Sequence, residues 1–334
     1  MIKKKNNIYR FCVAPMFGYT DKYCRKIYRI ISKKTILFTE MISTNDILKK
    51  NSKKFIYNKK KENPVVIQIS GSNENEISKC AEISYKKNYK YINLNIGCPS
   101  IKAQKGNFGA ILMKQPEIII NSINNISNNT PIETSIKSRI GINKKDDYKF
   151  LKEFIYNIST KSTCKTFILH ARKAILKNIS TKKNLKIPKI NYNFVYKIKK
   201  DFPNLKIIIN GEIKNIKESL IHLKYTDGVM LGRSIYKEPM ILKSVDKKIY
   251  NKKKKKSKKI LYKIFKYINK KVSEKVPMYK ITRHITNIFK NKPYSHIWKR
   301  MILSKKNQKK NIKTIFKNYK NFVKILINKN LKKK

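Results

Sequence analysis

Eight short runs of apolar and β-branched residues alternate, over the first two thirds of the chain, with segments whose apolar residues recur at helical spacing. This alternation predicts parallel strands joined by crossover helices, and eight strands are the number that closes a (β/α)8 TIM barrel. A doubly wound open sheet alternates in the same way, but polar motif residues follow every run, which favours the barrel. The predicted strands are Phe11–Pro15, Thr35–Thr39, Pro64–Ile69, Tyr91–Ile96, Pro131–Ser138, Thr166–Leu169, Lys206–Ile209 and Gly228–Leu231.

Helical spacing is clearest in two segments between these runs. Residues three and four apart share one face of a helix, so a repeat of apolar residues at that spacing predicts an amphipathic helix. Pro116 fits the first turn of a further helix, where its missing N–H has no intrahelical partner to lose. The two repeating sets are Ile77, Cys80, Ala81 and Ser84, and Tyr148, Leu151, Ile155 and Ile158.

The pattern changes after about residue 245, where a lysine-rich segment, Lys247–Lys259, interrupts the apolar runs. Such a block of like charge is typical of a solvated linker. We therefore predict a barrel domain over residues 1–245 and a small, basic, all-α domain over residues 246–334. The helical repeats that predict the second domain are Ile260, Ile264, Tyr267 and Ile268, and Ile315, Phe316, Tyr319, Phe322 and Val323.

The charge of the chain points to its partner. Among 334 residues there are 81 Lys and Arg against 19 Asp and Glu, which gives a net charge of +62. This excess indicates a polyanionic partner, and the phosphate backbone of a nucleic acid is the obvious candidate. The alternative is that AT-rich coding DNA has drifted toward lysine codons, and we assign about half of the excess to such drift.

Targeting and metal-binding signals are not found in the sequence. No apolar stretch approaches the length of a membrane span, and the lysine-rich first nine residues lack the apolar core of a signal peptide. We therefore expect no membrane association and a cytoplasmic location. The five cysteines form no Cys-x-x-Cys pair and only four histidines occur, so neither a disulfide framework nor a metal site is predicted.

Cys98 is the cysteine with a candidate chemical role. It lies between Gly97 and Pro99, directly after the predicted strand Tyr91–Ile96. Pro99 stops the strand and Gly97 permits a turn that other residues resist, so the thiol should lie in a short, stiff loop. That loop is at the carboxyl edge of the predicted barrel, where barrel enzymes carry their catalytic residues.

Residues 93–110, NLNIGCPSIKAQKGNFGA, resemble the signature of the tRNA-dihydrouridine synthases, flavoenzymes that reduce a uridine in transfer RNA. HARKA followed by STKKN, together with DFPNLKIIINGEI at 201–213, is similar to the DusA subfamily, which acts on the D loop of tRNA. Six further segments agree with the family in one order: APMFGYTDKYCR at 14–25, TEM at 39–41, IQISGS at 67–72, SRIGI at 138–142, HARKA at 170–174 and DGVMLGRSIY at 227–236.

The resemblance implies that the barrel binds FMN. Pro15, Met16 and Phe17, at the end of the first strand, would lie along the isoalloxazine ring. Gln68, at the end of the third strand, would bond the carbonyl and N–H edge of the ring. Lys137, at the end of the fifth, would place a positive charge near the anionic edge of the reduced ring.

The resemblance also implies where the cofactor's phosphate lies, after the last strands of the barrel. His170 matches a flavin-contacting histidine of the family. The family usually has Asn-Gly-Gly where this chain has Asn210-Gly211-Glu212, so we expect the Glu212 side chain to point away and only its backbone N–H to be used. The phosphate-binding residues implied are Asn210, Gly211, Glu212, Gly232 and Arg233.

The reaction implied is the reduction of the 5,6 double bond of uracil at position 20 or 20a of tRNA. It requires a hydride at carbon 6 and a proton at carbon 5. The flavin would give the hydride and Cys98 the proton, from the opposite side of the base. Asn95 resembles the family's base-reading amide, and NADPH would regenerate the reduced flavin.

A uridine folded inside tRNA has to be extruded to reach a barrel, so the protein must grip the surrounding RNA. Leu185 stands where the subfamily commonly has arginine, which puts the preferred uridine position in question. Trp298 is either part of this RNA contact or core of the helical domain. We expect a monomer that contacts tRNA through Arg172, Lys173, Lys182, Leu185, Arg283, His284, His296, Lys299 and Arg300.

Two other functions remain open at this point. Another flavin barrel, such as a dihydropyrimidine or dihydroorotate dehydrogenase, would share the cofactor and the acid cysteine but would not need the basic helical appendage. A catalytically decayed synthase would keep the fold and the charge and bind RNA only. Bound flavin and activity on free uracil would distinguish these alternatives.

Overall fold

Eight parallel strands follow one another around a closed barrel in chain order, with the last strand paired to the first. The computed structural model describes residues 7–49, 62–143, 147–176, 179–253, 255–304, 307 and 311–331, with side chains up to residue 322 and at 324. The predicted fold class is confirmed. The strands are β1 Phe11–Val13, β2 Ile36–Ser43, β3 Val65–Ser70, β4 Tyr91–Ile96, β5 Glu133–Arg139, β6 Thr166–His170, β7 Lys206–Asn210 and β8 Gly228–Leu231.

The ends of three strands differ from the prediction in ways that matter for the site. β1 stops at Val13 because the next residues form a tight turn, in which the N–H groups of Tyr19 and Thr20 both donate to the carbonyl of Met16 at 3.0 Å. β3 and β5 each run one residue further than predicted. Gln68 and Lys137 therefore lie two residues before their strand ends rather than at them.

Helices connect the strands and then form the C-terminal part of the chain. The predicted helices are confirmed, including the start of one at Pro116. The helices are α1 Lys22–Ile31, α2 Thr44–Leu48, α3 Glu74–Lys86, α4 Ile101–Lys105, α5 Pro116–Asn129, α6 Tyr148–Lys161, α7 Tyr192–Asp201, α8 Ile216–His222, α9 Arg233–Lys237, α10 Ile241–Lys248, α11 Ser257–Ser273, α12 Tyr279–Thr282, α13 Ser295–Leu303 and α14 Ile312–Leu331.

The interior of the barrel changes from apolar to polar along the strands. Successive side chains of a strand point to opposite faces, so every second residue points inward. One apolar cluster combines inward residues of six strands, Cys12, Ile36, Phe38, Val66, Ile168, Ile208 and Met230. Two residues further along β3 and β4 the same parity brings Gln68 and Asn93, both buried, to the inside. The polar layer therefore lies toward the carboxyl ends of the strands.

The chain divides into two compact units that do not follow a single cut in the sequence. One unit takes the described residues of 1–22 and 34–232, and the other takes 23–33 with those of 233–334. The predicted functional division between residues 245 and 246 stays a prediction. Across the part of the chain described above, no helix is both long and apolar enough to cross a membrane.

The second unit has its own aromatic core. Trp298 is fully buried, and its indole N–H donates to the carbonyl of Ile285 at 2.9 Å. This resolves the open interpretation of Trp298 in favour of core packing. The rings around it belong to Phe265, Phe289, Phe316 and Tyr319.

Candidate functional site

A ladder of amides crosses β3, β4 and β5 inside the barrel. The amide of Gln68 donates to Asn93 Oδ1 at 2.7 Å and accepts from Asn95 Nδ2 at 2.9 Å. Asn93 donates in turn to the hydroxyl of Ser135 at 2.9 Å. Because Gln68 is buried in this ladder, its amide holds Asn95 in place, and the predicted contact with the flavin edge stays a prediction.

Asn95 fixes the turn that carries Cys98. Its side-chain oxygen accepts from the N–H of Gly97 at 3.2 Å and from that of Cys98 at 3.0 Å. The carbonyl of Cys98 accepts from the N–H of Ala110 at 2.9 Å. Gly109 permits this approach, since a Cβ there would lie 2.6 Å from the Cys98 carbonyl oxygen. The backbone of Cys98 is thus held by two hydrogen bonds, one at its N–H and one at its carbonyl.

The thiol itself is accessible. Cys98 is half-buried, whereas Cys12, Cys24, Cys80 and Cys164 are buried. Its Sγ donates to the hydroxyl of Ser100 at 3.3 Å, and that hydroxyl also accepts from the N–H of Ala103 as the N-cap of α4. The arrangement leaves one rigidly placed thiol at the carboxyl edge of the barrel, as the sequence predicts.

Two cationic side chains of β5 interact with this cysteine. Burial, and then the charge of Arg139, lower the pKa of Lys137 to about 7, while Cys98 acts in the opposite direction. No carboxylate of the described residues forms an ion pair with Lys137, so its half-buried amine is available to an anionic ligand. Burial lowers the pKa of Arg139 to about 10. Arg139 donates to the carbonyls of Gly97 at 3.1 Å and Lys173 at 3.3 Å, which ties the Cys98 turn to the segment after β6.

Four of the predicted phosphate-binding residues belong to the barrel unit, where Asn210, Gly211 and Glu212 lie at and after the end of β7 and Gly232 directly follows β8. Asn210 donates to the carbonyl of Met230 at 2.8 Å. Gly211 has a φ of 131°, and a Cβ there would lie 3.1 Å from Cδ2 of His170, which ends β6. Gly232 follows β8, and a Cβ on it would lie 3.4 Å from Met16 Sδ. Glycine at position 211 therefore keeps the backbone open beside His170, whereas a Cβ at position 232 would make only ordinary contact with Met16.

Glu212 has a partner that the sequence does not suggest. It adopts a left-handed conformation with a φ of 48°. Its side chain is 40% exposed, and its Oε1 lies 2.9 Å from Nη2 of Arg172, whose side chain is only 4% exposed. The guanidinium also donates to the carbonyls of Lys186 and Pro188. The guanidinium of Arg172 is thus bonded inside the protein, and its predicted contact with tRNA stays a prediction.

The remaining predicted residues of the barrel unit differ in exposure. Phe17 is 79% exposed, in a turn where the N–H of Gly18 donates to Glu40 at 2.6 Å. Pro15 and Met16 before it are half-buried. In the segment after β6, Lys182 is exposed, and Lys173 and Leu185 are half-buried.

In the second unit, one predicted tRNA contact is internal. His284 is buried, accepts from Nε of Arg283 at 3.2 Å, and has its Nδ1 3.4 Å from the hydroxyl of Tyr236. The others are exposed: Arg283, His296, Lys299 and Arg300, as is Arg233 at the start of α9.

Sequence reasoning missed four residues that build this site: Asn93, Ser100, Ser135 and Arg139. A signal was available for two of them, because Asn93 and Arg139 lie two positions from Asn95 and Lys137 and therefore share their face of the strand. Ser100 and Ser135 gave no comparable signal. Among the residues whose structure is described, no cluster of three or more His, Cys, Asp and Glu could hold a metal ion.

A closed parallel barrel with a fixed thiol, an available amine and a layer of amides at its carboxyl edge defines a TIM-barrel enzyme. The chain belongs to the dihydrouridine synthase family, since a family model described as dihydrouridine synthase (Dus) matches residues 12–325.

Curated relatives agree with this assignment. The chain is 38% identical over 295 residues to a tRNA-dihydrouridine(20/20a) synthase of Vibrio parahaemolyticus, which covers 88% of this chain and 90% of the relative. It is 38% identical over 300 residues to the enzyme of the same name from Yersinia pestis, and the match covers 89% of this chain and 87% of that enzyme. A solved structure, histamine dehydrogenase from Rhizobium sp. 4-9, superposes with a TM-score of 0.52 at 11% identity, over 71% of this chain and 45% of that one. This last similarity shows the fold alone.

Proposed function

We propose that this protein reduces uridine to 5,6-dihydrouridine at position 20 or 20a of the tRNA D loop, with FMN as cofactor and NADPH as reductant. The observation that carries the proposal is the half-buried thiol of Cys98, held in a fixed turn at the end of β4. The names of the 38% identical relatives support the substrate and the position. The site of action would be the cytoplasm, where the tRNA pool is.

The residues present fit a flavin mononucleotide. The φ of 131° at Gly211 and the short distance from its Cβ position to His170 leave backbone groups open where a phosphate would bind. The half-buried amine of Lys137 has no carboxylate partner in the described part of the chain and suits the anionic edge of a reduced ring. Pro15 and Met16 offer an apolar surface beside these groups. His170, Asn210 and the backbone N–H of Glu212 complete the proposed contacts, with Arg233 carried over from the sequence, and the Glu212 side chain takes no part because its carboxylate is paired with Arg172.

When bound, the reduced cofactor would supply the hydride that is added to carbon 6 of the uracil. Cys98 holds the proton that is added to carbon 5. The turn of Gly97 and Cys98 keeps the thiol in one place, so that proton transfer needs no rearrangement of the backbone. After transfer, the positive charges of Lys137 and Arg139 stabilise the resulting thiolate, with which both interact electrostatically. The second N–H of the Asn95 amide, which the ladder does not use, is available to the base.

The proposed tRNA contacts are the exposed basic side chains. A flipped uridine costs a few kcal/mol of unstacking, which contacts to the surrounding phosphates have to offset. Lys173 and Lys182 would contribute from the barrel unit, and Leu185 would adjoin them. The exposed residues of the second unit proposed for the same role are Arg283, His296, Lys299 and Arg300. We propose that the enzyme acts as a monomer.

The test is mass-resolved nucleoside analysis of unmodified tRNA after incubation with the protein, FMN and NADPH. We expect a gain of about 2 Da, the mass of two hydrogens, at position 20 or 20a. Reduction of free uracil instead would favour a pyrimidine reductase of the same fold. Binding of tRNA with no bound flavin and no mass gain would favour the RNA-binding alternative.

A further inference from the structure

Arg172 joins three separate points of the chain through one buried guanidinium. Its Nη1 donates to the carbonyl of Lys186 at 2.7 Å and to that of Pro188. Its Nη2 lies 2.9 Å from Glu212 Oε1. Lys186 and Pro188 belong to the segment after β6, which we call the β6 loop and define as residues 171–176 and 179–191. Glu212 belongs to the β7 loop, defined as residues 211–215.

The β7 loop is also held by bonds that do not use the carboxylate of Glu212. Tyr192 donates its hydroxyl proton to the carbonyl of Gly211 at 2.7 Å. The end of β7 is fixed separately, because the carbonyl of Asn210 accepts from the N–H of Ala171 at 2.8 Å and its amide donates to Met230 at 2.8 Å. Removing the carboxylate would therefore leave the backbone of the β7 loop in place.

The β6 loop depends on the ion pair between Arg172 and Glu212 more strongly than the β7 loop does. A buried guanidinium without a counter-charge is unfavourable, so Arg172 would turn toward solvent if Glu212 were neutral. Its bonds to the carbonyls of Lys186 and Pro188 would then be lost as well. Both carbonyls follow Lys182, one of the exposed side chains proposed to contact tRNA.

The backbone at Glu212 supports a specific use of this side chain. A left-handed conformation is uncommon for residues other than glycine, and the φ of 48° follows a φ of 131° at Gly211. Glycine would adopt this conformation at lower cost. A charge-assisted bond to Arg172 offsets the cost for glutamate.

We propose that the Arg172–Glu212 ion pair is a latch that positions the β6 loop against the β7 loop. Arg172 and Glu212 are positioning residues: they hold the segment bearing Lys173 and Lys182 next to the strand ends that carry the proposed cofactor contacts. This inference rests on the proposed function for its consequence, because the latch then governs how tRNA is presented to Cys98.

Hydrogen–deuterium exchange of the protein without cofactor or tRNA tests the latch directly. We expect Glu212→Gln to speed exchange in the β6 loop by about tenfold or more, at amides such as Ile187 and Asn191, which donate to Lys183 and Ala171. Glu153→Gln removes an equal charge from an exposed residue of α6 and should leave the loop unchanged. Glu212→Asp keeps the charge and should retain most of the protection. Equal exchange in Glu212→Gln and the unsubstituted protein would overturn the proposal.

Steady-state kinetics supplies a second readout. We expect Glu212→Gln to raise KM for tRNA by about tenfold, because the β6 loop with Lys173 and Lys182 is no longer held in position. The kcat and the FMN dissociation constant should change less than about threefold. Weaker FMN binding with an unchanged KM for tRNA would also overturn the latch. Because exchange is measured without substrate, its result is independent of whether the protein proves to be a dihydrouridine synthase.

Discussion

The amide of Asn95 uses its oxygen for the N–H groups of Gly97 and Cys98 and one of its N–H groups for Gln68. Sequence resemblance gives this residue one role, the reading of the base. The structure adds a second, because the same side chain holds the catalytic turn. The bond from Asn95 to Gln68 that orients this amide could not be predicted from sequence, since it joins β4 to the neighbouring strand β3.

Gly109 sets the space available to the Cys98 turn. It has a φ of 77°, and a Cβ would lie 2.6 Å from the Cys98 carbonyl oxygen. We expect Gly109→Ala to lower the free energy of unfolding by about 2–4 kcal/mol, through both the unfavourable φ and the steric contact. Urea denaturation measures this change.

Gly18 offers a matched control for Gly109. It has the same φ of 77° but nothing within 4 Å of its Cβ position. Gly18→Ala should therefore lower the free energy of unfolding by only about 1 kcal/mol, the contribution of the unfavourable φ alone. Equal losses in the two variants would contradict the steric account of the Cys98 turn.

Lys137 should make stability depend on pH. Its pKa is lowered from 10.5 to about 7 in the folded protein, so the unfolded chain holds more protons between these values. The stability of the fold therefore rises as pH increases from about 7 to 10.5, falls again as pH returns from 10.5 to 7, and no longer changes through this group below 7. The expected change over the window is about 2–4 kcal/mol.

Unfolding measured in urea at several pH values in that window, without cofactor, tests this prediction. Lys137→Met should remove this part of the pH dependence, because no amine is then titrated. The comparison between the two proteins cancels the contribution of tyrosines and of other lysines. An identical pH dependence in both would show that the amine of Lys137 is not desolvated.

At the scale of elements, the eight strands could be predicted from sequence because apolar β-branched runs mark them directly. The predicted bounds of β4 and β8 are confirmed, but the ends of β1 and β2 could not be predicted, since β1 is shortened by the turn around Met16 and β2 continues past a register shift between Phe38 and Met41. No sequence pattern indicates that residues 23–33 belong to the second unit. One contact that links them to it comes from Asp246, more than 200 residues away, whose carboxylate accepts from Ser32 at 2.5 Å and from the N–H of Lys33 at 2.9 Å.

Asp246 should therefore be important for the second unit. It is buried, and Lys255 lies 3.7 Å from its carboxylate. We expect Asp246→Ala to destabilise this unit by about 3 kcal/mol, since it leaves buried donors and a cation without their acceptor. Fluorescence of Trp298, the chain's one tryptophan, reports the unfolding of this unit in urea.

Lys255→Met is the informative comparison for Asp246. It removes the cation, together with its bonds to the carbonyls of Ile30 at 3.2 Å and Ile31 at 3.0 Å, but leaves the carboxylate bonded to Ser32 and Lys33. The free energy of unfolding should then fall by only about 1 kcal/mol. If Asp246→Ala were no more destabilising than Lys255→Met, the hydrogen bonds from Ser32 and Lys33 to Asp246 would not contribute to the stability of the unit.

At the scale of the whole molecule, the net charge indicates the kind of partner, whereas the family motifs and the barrel indicate the reaction. The net charge of +62 indicates a polyanion but cannot say which lysines touch it. The structure narrows the set of candidate tRNA contacts, because Lys182 and Arg300 are exposed whereas Arg172 and His284 are buried. Family membership and the barrel together account for the reaction. The assignment of Cys98 as the residue that donates the proton stays a prediction, supported by its partly exposed position in a fixed turn.

The most direct test of this account is a single turnover of prereduced enzyme with unmodified tRNA, comparing Cys98→Ala with the unsubstituted protein. We expect the rate of dihydrouridine formation to fall by about 100-fold or more, the usual contribution of a general acid, while FMN binding is retained. Cys24→Ala, at a buried cysteine outside the site, should keep the rate if it folds. An undiminished rate in Cys98→Ala would contradict the assignment of Cys98 as the proton donor.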